Sequence, residues 1–271
     1  MSKKFNISDA VRSVQIGSCI IRMPKIRGSL GSVFISKSQS SGIEYVYKFN
    51  HPAMALKNSV VARILNDHCI PVPQINMHLQ TGQCFEQYKI IPGKTLYECI
   101  GDGISNDEID SIYAEILELF HKMSQIDWRL VENMKYSRTH DVAKVNISDV
   151  NNQFFGNICS RTVQLMNIGT KSDRGLYHCG ITPKNIIIDK DGHVAALIDM
   201  DEVAIADKNY AFGMMAAKYY QLRGQINNLI DQYELISGQS LNSGKIRAIS
   251  NLTNFGKHML WYMANRRDKT K

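Results

Sequence analysis

Short apolar runs separated by Gly-Ser turns dominate the first third of the chain. They are rich in β-branched and aromatic residues, which predicts strands of an antiparallel sheet. The runs are residues 14–23, 32–37, 44–50 and 83–91. Ahead of the last run, residues 54–68 carry apolar side chains at helical spacing, among them Leu56, Val60 and Leu65. Two prolines in IPVPQI end this predicted helix.

The pattern becomes helical beyond Pro92-Gly93, a dipeptide typical of a turn or linker. Ser105 and Glu108 form a capping box ahead of a long amphipathic helix. Residues 180–207 return to short strands around an Asp-Gly hairpin, and the remainder is helical. We therefore predict an α+β fold with two lobes. Residues 1–93 form a small β-rich lobe with one main helix, and residues 94–271 form a larger helical lobe.

Composition is that of a globular protein, with 44% apolar and 21% charged residues among 271. No apolar run approaches the ~18 residues of a membrane-spanning helix, and no cleavable signal peptide is predicted. We therefore expect a cytoplasmic protein without a membrane partner. Six single cysteines without a C-x-x-C pair do not support a zinc site or a disulfide framework.

Charge is distributed unevenly along the chain. Residues 1–93 hold 11 basic and 4 acidic side chains, net +7; residues 94–202 hold 11 and 17, net −6; residues 203–271 hold 10 and 4, net +6. A basic first third can meet phosphate groups, or it can be a solvated lysine-rich surface. No basic block is interleaved with aromatic residues, so a nucleic-acid partner is not expected.

Two features of the first lobe suit phosphate binding. A Gly-Ser turn between predicted strands allows backbone N–H groups to approach phosphate closely; its relevant residues are Gly28, Ser29, Gly31 and Ser32. About 15 residues later Lys48 lies in the next strand, where an ammonium group can reach the α- and β-phosphates of a nucleotide.

The second lobe contains the segment YHCGITPKNIIIDKDGHVAALIDMDEVAIAD. A His-x-x-x-x-Pro-x-Asn turn leads into a strand hairpin, and Asn185 and Asp199 lie at the ends of its paired strands. Mg²⁺ prefers hard oxygen ligands and takes few of them from the protein. Together the two side chains can hold Mg²⁺ against a triphosphate.

In this order, these motifs resemble the aminoglycoside phosphotransferase and choline kinase family, which has a protein-kinase-like fold. The resemblance extends from about Gly28 to Gly213 and rests on HCGITPKNIII…LIDMD, YKIIPGKTL, ILELFHKMSQID and VARILNDHCIPVPQI. It implies a nucleotide-binding first lobe, with the glycine turn and Lys48 on the phosphates and with Tyr88 and Ile90 in the hinge beside the base. It also implies Asn185 and Asp199 as magnesium ligands and His178 as a structural residue of the catalytic loop.

Two positions depart from the family pattern. The catalytic loop of the family reads His-x-Asp-x-x-x-x-Asn, and its Asp orients and deprotonates the acceptor hydroxyl; five residues before Asn185 the chain has Gly180. The Glu that pairs with the strand lysine in the family aligns with Asn58. Asp201 and Asp173 are the two remaining candidates for the base.

Three interpretations follow from these departures. The chain is a kinase that transfers the γ-phosphoryl group of ATP or GTP to a hydroxyl of a sugar, nucleoside, antibiotic or glycan precursor. Alternatively, it is a pseudokinase that binds nucleotide or a protein partner as a regulatory module, or a scaffold whose nucleotide site has been lost. The basic residues 203–271 favour a neutral or anionic acceptor over a polycation.

Overall fold

The computed structural model describes residues 20–22, 33–37, 41–80, 83–132 and 174–267. By its internal contacts the chain divides into two compact units, Met1–Pro92 and Gly93–Lys271. The α+β class and the kinase-like arrangement of a β-rich N-terminal part and a helical C-terminal part are confirmed.

The first unit contains one antiparallel sheet and one helix among its described residues. The strands are β1 (Ile20–Arg22), β2 (Val33–Lys37), β3 (Glu44–Phe49), β4 (Asn76–Gln80) and β5 (Gln83–Lys89), and the helix is α1 (Pro52–Asp67). In space the strands follow the order β1-β2-β3-β5-β4. Helix α1 packs against β4 and β5, so one face of the sheet is covered by this helix.

Helix α1 buries a partly polar face. Lys57 and Asn58 are only 4% and 0% exposed, although a solvent-facing helix side would suit both better. The helix predicted from the apolar spacing is present, but of the apolar residues in that pattern Leu65 is fully buried whereas Leu56 is 53% exposed. The buried residues of α1 are both apolar and polar: Ala55, Lys57, Asn58, Val61, Ala62 and Leu65.

The second unit combines two small sheets with the longer helices. Its elements are β6 (Lys94–Thr95), α2 (Leu96–Gly101), α3 (Asn106–Ser124), α4 (Arg129–Glu132), β7 (Arg174–His178), β8 (Ile186–Ile188), β9 (Val194–Leu197), β10 (Val203–Asp207), α5 (Lys208–Arg223), α6 (Ile226–Ser237) and α7 (Ser243–Arg267). Strand β8 pairs with β6 and β9, and β7 pairs with β10, all antiparallel.

Helix α3 organises the core of the second unit. The predicted capping box is confirmed, since Ser105 Oγ accepts from the Glu108 backbone N–H and Glu108 accepts from the Ser105 backbone N–H. The aromatic core around this helix brings together Phe120, Tyr177, Phe212 and Tyr233, whose ring centroids lie 4.7–5.7 Å apart in the recorded pairs. Such tilted and stacked pairs stabilise beyond simple burial. They hold β7, which ends at His178, against α3.

None of the helices in the described part of the chain has the length and apolar character required to span a membrane.

Candidate active site

Strand β3 places Lys48 between two neighbouring strands. Its register partners are Val33 on β2 and Glu86 on β5. Side chains at directly paired positions of antiparallel strands rise from the same face of the sheet. The ammonium-bearing side chain and a carboxylate therefore share one face, the face from which Glu86 meets α1.

Glu86 is a buried carboxylate with two amide donors. It is 1% exposed, and its Oε1 accepts from Asn58 Nδ2 at 2.7 Å and from Asn50 Nδ2 at 2.9 Å. A buried charge is tolerated only where hydrogen bonds and opposite charge compensate its lost hydration. The Glu86 carboxylate also affects a neighbour on the same strand. Burial raises the pKa of the Cys84 thiol, and the Glu86 carboxylate raises this pKa further.

Asn58 is thus a hydrogen-bond donor to a carboxylate of the sheet. Its amide donates to Glu86 from α1, so the carboxylate of this region comes from β5 and not from the helix. Sequence analysis did not select Glu86. The signal in the sequence was an acidic residue at the centre of the strand-like run QCFEQYKII. A charged side chain is expected there only if the strand lies at an exposed edge of the sheet.

The remaining sequence candidates of the first unit divide into described and undescribed residues. Tyr88 pairs with Val46 near the end of β5, and the Ile90 backbone N–H donates to the Glu44 carbonyl at 3.0 Å. Both candidates are partly buried. The glycine turn lies outside the described residues, with Gly28, Ser29, Gly31 and Ser32.

In the second unit, the turn after β7 is organised around His178. This side chain is 1% exposed. The Gly180 backbone N–H donates to His178 Nδ1 at 3.2 Å, and Nε2 lies 2.8 Å from the Ile198 carbonyl. Because Nδ1 accepts, Nε2 carries the proton and donates. The imidazole therefore connects the loop at Gly180 with the strand end before Asp199.

Asn185 completes that connection. Its Nδ2 donates to the Gly180 carbonyl at 2.9 Å, and its own carbonyl accepts from the Ile198 backbone N–H at 2.9 Å. The first bond fixes the amide plane, which directs Oδ1 away from the Gly180 carbonyl. The loop containing Gly180 and Asn185 and the strand end at Ile198 are thus held together by several bonds.

Asp199 follows Ile198 in a left-handed backbone conformation, with φ 71° and ψ 63°. Residues other than glycine adopt this region at a cost, and such strain concentrates at functional sites. Asp199 begins the 3-10 turn Met200–Glu202, whose Glu202 N–H donates to the Asp199 carbonyl at 3.2 Å.

The donor set of Asn185 and Asp199 fits Mg²⁺. Among the described residues, no three His, Cys, Asp or Glu side chains cluster as a metal site. Mg²⁺ does not need such a cluster, since it commonly takes one or two protein oxygens together with phosphates and water. One carboxylate and one amide oxygen, on segments joined by hydrogen bonds, match that requirement.

Gly180 lies against Glu202. A Cβ at position 180 would be 2.6 Å from both Cβ and Cγ of Glu202, a distance that side chains do not tolerate. Gly180 has no positive φ, so its backbone does not require glycine. The Glu202 carbonyl also accepts from the Cys179 N–H at 3.1 Å, one step beyond the β7–β10 ladder. The side chain of Glu202 therefore occupies the place of a side chain at 180.

The charge of Glu202 also reaches the adjoining core. Burial is the main cause that raises the pKa of Tyr210, and Cys179 and Glu202 raise it further. The two candidates for a catalytic base from sequence lie elsewhere: Asp201 precedes Glu202 in the same 3-10 turn, and Asp173 falls outside the described residues.

Comparison with known families gives one match, which covers most of the chain. The model of the phosphotransferase enzyme family matches residues 31–241. The chain belongs to this family. The match spans the lysine strand, the His178–Asn185 loop and the Asp199 turn, so family membership and local geometry concern the same residues. No curated protein matches the chain in sequence.

Solved structures of this fold are similar at low sequence identity. An aminoglycoside-3'-phosphotransferase of type VIII shares 15% identity with a TM-score of 0.67, over 92% of this chain and 98% of its own. APH(2")-IIia in complex with GDP and kanamycin shares 13% with a TM-score of 0.64, over 97% and 92%. The macrolide 2'-phosphotransferase MphH from Brachybacterium faecium shares 14% with a TM-score of 0.54, over 93% and 88%.

Proposed function

We propose that this protein transfers the γ-phosphoryl group of ATP or GTP to a hydroxyl group of a small molecule. The observation that carries the proposal is the hydrogen-bonded assembly of His178, Asn185 and Ile198. It joins the segments that carry two hard oxygen donors, Asn185 and Asp199, and Asp199 has a left-handed backbone conformation. Backbone strain of this kind concentrates at functional sites, which favours a working site over a scaffold that has lost its nucleotide site.

The role of each residue follows from phosphoryl transfer, in which positioning and charge stabilisation dominate. Lys48 binds the phosphates, and Glu86, its partner in the β3–β5 register, supplies the counter-charge that the family pattern places on the helix. Asn185 and Asp199 would hold Mg²⁺, which neutralises charge on the β- and γ-phosphate oxygens when bound. Tyr88 and Ile90 border the base, and the turn with Gly28, Ser29, Gly31 and Ser32 covers the phosphates.

The acceptor class follows from charge and from the related structures. Kanamycin is bound by one similar structure and macrolides are the substrates named for another, which supports a small hydroxyl compound. Residues 203–271 carry a net charge of +6, from 10 basic and 4 acidic side chains. A neutral or anionic acceptor suits that charge better than a polycation.

Calorimetric titration with ATP and with GTP, with and without Mg²⁺, tests the nucleotide site. Lys48→Ala should weaken binding about tenfold to a hundredfold, since a hydrogen bond to a charged group contributes about 1.5–3 kcal/mol. Lys37→Ala is the matched control, an exposed lysine on the neighbouring strand. Binding that is strengthened by Mg²⁺ and weakened only in Lys48→Ala supports the proposal. A folded protein that binds neither nucleotide contradicts it.

A transfer assay separates the kinase from the pseudokinase. Sugars, nucleosides, a macrolide and kanamycin are incubated with the nucleotide that binds, and phosphorylated products are detected by mass spectrometry. Product that disappears in Asp199→Ala supports transfer. The glycine at position 180 is the observation that favours the pseudokinase, and nucleotide binding without any product or phosphate release would support it.

A further inference from the structure

The space at position 180 is filled by another residue. In the family pattern, position 180 holds the Asp that orients the acceptor hydroxyl. Here the Cβ and Cγ of Glu202 lie 2.6 Å from the point where a Cβ of residue 180 would be. The missing side chain has therefore been replaced in space by a longer acidic one.

The carboxylate of Glu202 begins next to the position of the absent side chain. Its carboxyl carbon follows Cγ by one carbon–carbon bond of about 1.5 Å, which puts it within about 4 Å of the Cβ point at 180. An Asp carboxyl carbon would lie one such bond from the same point, so both carboxyl groups belong to the same small region beside the loop. Glu202 as a residue is partly exposed.

The backbone of Glu202 is fixed from two sides. Its carbonyl accepts from the Cys179 N–H at 3.1 Å, and its N–H donates to the Asp199 carbonyl at 3.2 Å. The residue is thus tied to the loop that carries Gly180 and to the turn that carries the proposed magnesium ligand. A catalytic group needs such positioning, because small displacements lower rates strongly.

We infer that Glu202 is the catalytic carboxylate of the transfer reaction, in place of an Asp at position 180; this inference rests on the proposed function. The acceptor oxygen attacks the γ-phosphorus and forms the new O–P bond, while its proton passes to a Glu202 carboxylate oxygen. The bond to the bridging oxygen breaks, and its electron pair leaves with the nucleoside diphosphate. The neutral Glu202 then returns its proton to water.

The glycine at position 180 is explained by the same contact. Its backbone conformation does not require glycine, whereas any Cβ would collide with Glu202. A loss of function that merely removed the Asp would leave an open space or a small side chain. The observed pair is instead complementary: one residue gives up its side chain where the other extends.

Phosphate release from the bound nucleotide, ATP or GTP with Mg²⁺ and with water as the acceptor, tests this inference. Glu202→Gln keeps the shape and removes the charge, and should lower the rate about 100-fold or more, as loss of a general base commonly does. Nucleotide affinity should stay within about twofold, since tenfold would require about 1.4 kcal/mol. Glu118→Gln, an exposed glutamate of α3, is the matched control and should leave the rate unchanged.

A carboxylate exchange gives a second, independent measurement. Gly180→Asp should lose activity because the new side chain collides with Glu202, and Glu202→Gly should lose it because the carboxylate is absent. The double variant Gly180→Asp, Glu202→Gly removes the collision and returns a carboxylate to the loop. Its rate should exceed that of Glu202→Gly by about tenfold or more, part of the range for general-base assistance.

The failures are distinguishable. Wild-type rates in Glu202→Gln, or a double variant no faster than Glu202→Gly, would overturn the inference and leave the proposed function standing. A wild-type protein that binds nucleotide but yields neither free phosphate nor any phosphorylated acceptor would overturn the inference in favour of the pseudokinase. Absence of nucleotide binding would overturn both.

Discussion

The first and second units each place a glutamate beside a residue that carries no charge. In the first unit, Asn58 on α1 donates to Glu86 on β5. In the second, Gly180 leaves room for Glu202 from the following turn. Glu86 is 1% exposed and bonded to two amides, whereas Glu202 is partly exposed.

That difference in exposure separates two uses of a carboxylate. A buried carboxylate that accepts two hydrogen bonds stabilises its surroundings, but an incoming molecule cannot reach it. Glu202 is less buried and packs against the loop at Gly180, and the inference above assigns it to the acceptor. We therefore expect changes at Glu86 to affect folding and nucleotide affinity, and changes at Glu202 to affect turnover.

The largest expected effect comes from adding an acidic residue to α1 beside Glu86. Asn58→Glu places a second carboxylate beside Glu86 in a buried site and should lower the free energy of unfolding by about 3–5 kcal/mol, as uncompensated buried charge does. Adding Glu86→Gln removes the repulsion and should recover most of that loss. Urea denaturation measures both, and equal instability of single and double variants would contradict the exchange.

The next test compares the two glutamates by the same substitution. Glu86→Gln should lower the free energy of unfolding by about 2–3 kcal/mol, because its hydrogen bonds from Asn58 and Asn50 lose their charge assistance. Glu202→Gln should change it less, by about 1 kcal/mol or less, because the substitution keeps the side-chain volume that packs against Gly180. Chemical denaturation of both variants is the measurement. Similar losses in the two would remove the distinction between the units.

The contact between Gly180 and Glu202 can be tested by adding one methyl group at position 180. Gly180→Ala should lower the free energy of unfolding by about 1–2 kcal/mol, because its Cβ overlaps Glu202 and forces the chains apart. In a Glu202→Gly background the same change should cost much less. Thermal denaturation of the four proteins gives the coupling. Additive effects would show that the two residues do not touch.

The smallest effect concerns a structural carboxylate, which provides a baseline. Asp110 accepts from Arg223 Nε and Nη2, both at 2.8 Å, and from the Tyr219 hydroxyl at 2.9 Å. The Arg223 hydrogen bonds are the largest cause that lowers the pKa of Asp110. Its contribution to stability is therefore complete above the unfolded pKa of about 3.9 and is lost as the pH falls through the lower folded pKa.

Arg223→Gln should accordingly destabilise the protein by about 1 kcal/mol or less at neutral pH. The difference from wild type should shrink as the pH falls below about 4, where protonation of Asp110 removes the partner charge. Denaturation midpoints at several pH values measure this trend. A difference in stability that is constant with pH would assign the effect to packing alone. The exposed pair Lys94 and Asp102 is the control for an ion pair on the surface.

Local patterns predicted the fold well because they depend on neighbours in sequence. The Ser105–Glu108 box and the hairpin at Asp191-Gly192 are contacts within a few residues, and both occur in the structure. Apolar spacing predicts the helix α1 but not which of its side chains are buried, since Leu56 is exposed while the polar Asn58 is fully buried.

The carboxylates of the site were not predictable in the same way. Glu86 joins Asn58 across 28 residues of sequence, and Glu202 meets Gly180 across 22. Such contacts depend on strand register and on the exact path of a turn, which composition and periodicity do not encode. Several acidic residues follow one another at Asp199–Glu202, and the sequence does not indicate which of their side chains faces the loop. The sequence candidate was Asp201, whereas Glu202 is the residue that meets Gly180.

The contact between positions 180 and 202 also determines what a mutational scan of this chain would record. A side chain added at 180 must displace Glu202 or its turn, and a shortened side chain at 202 leaves space beside Gly180. A scan that changes the two positions one at a time would therefore underestimate what each position tolerates, whereas a scan that changes them together would find pairs that fit.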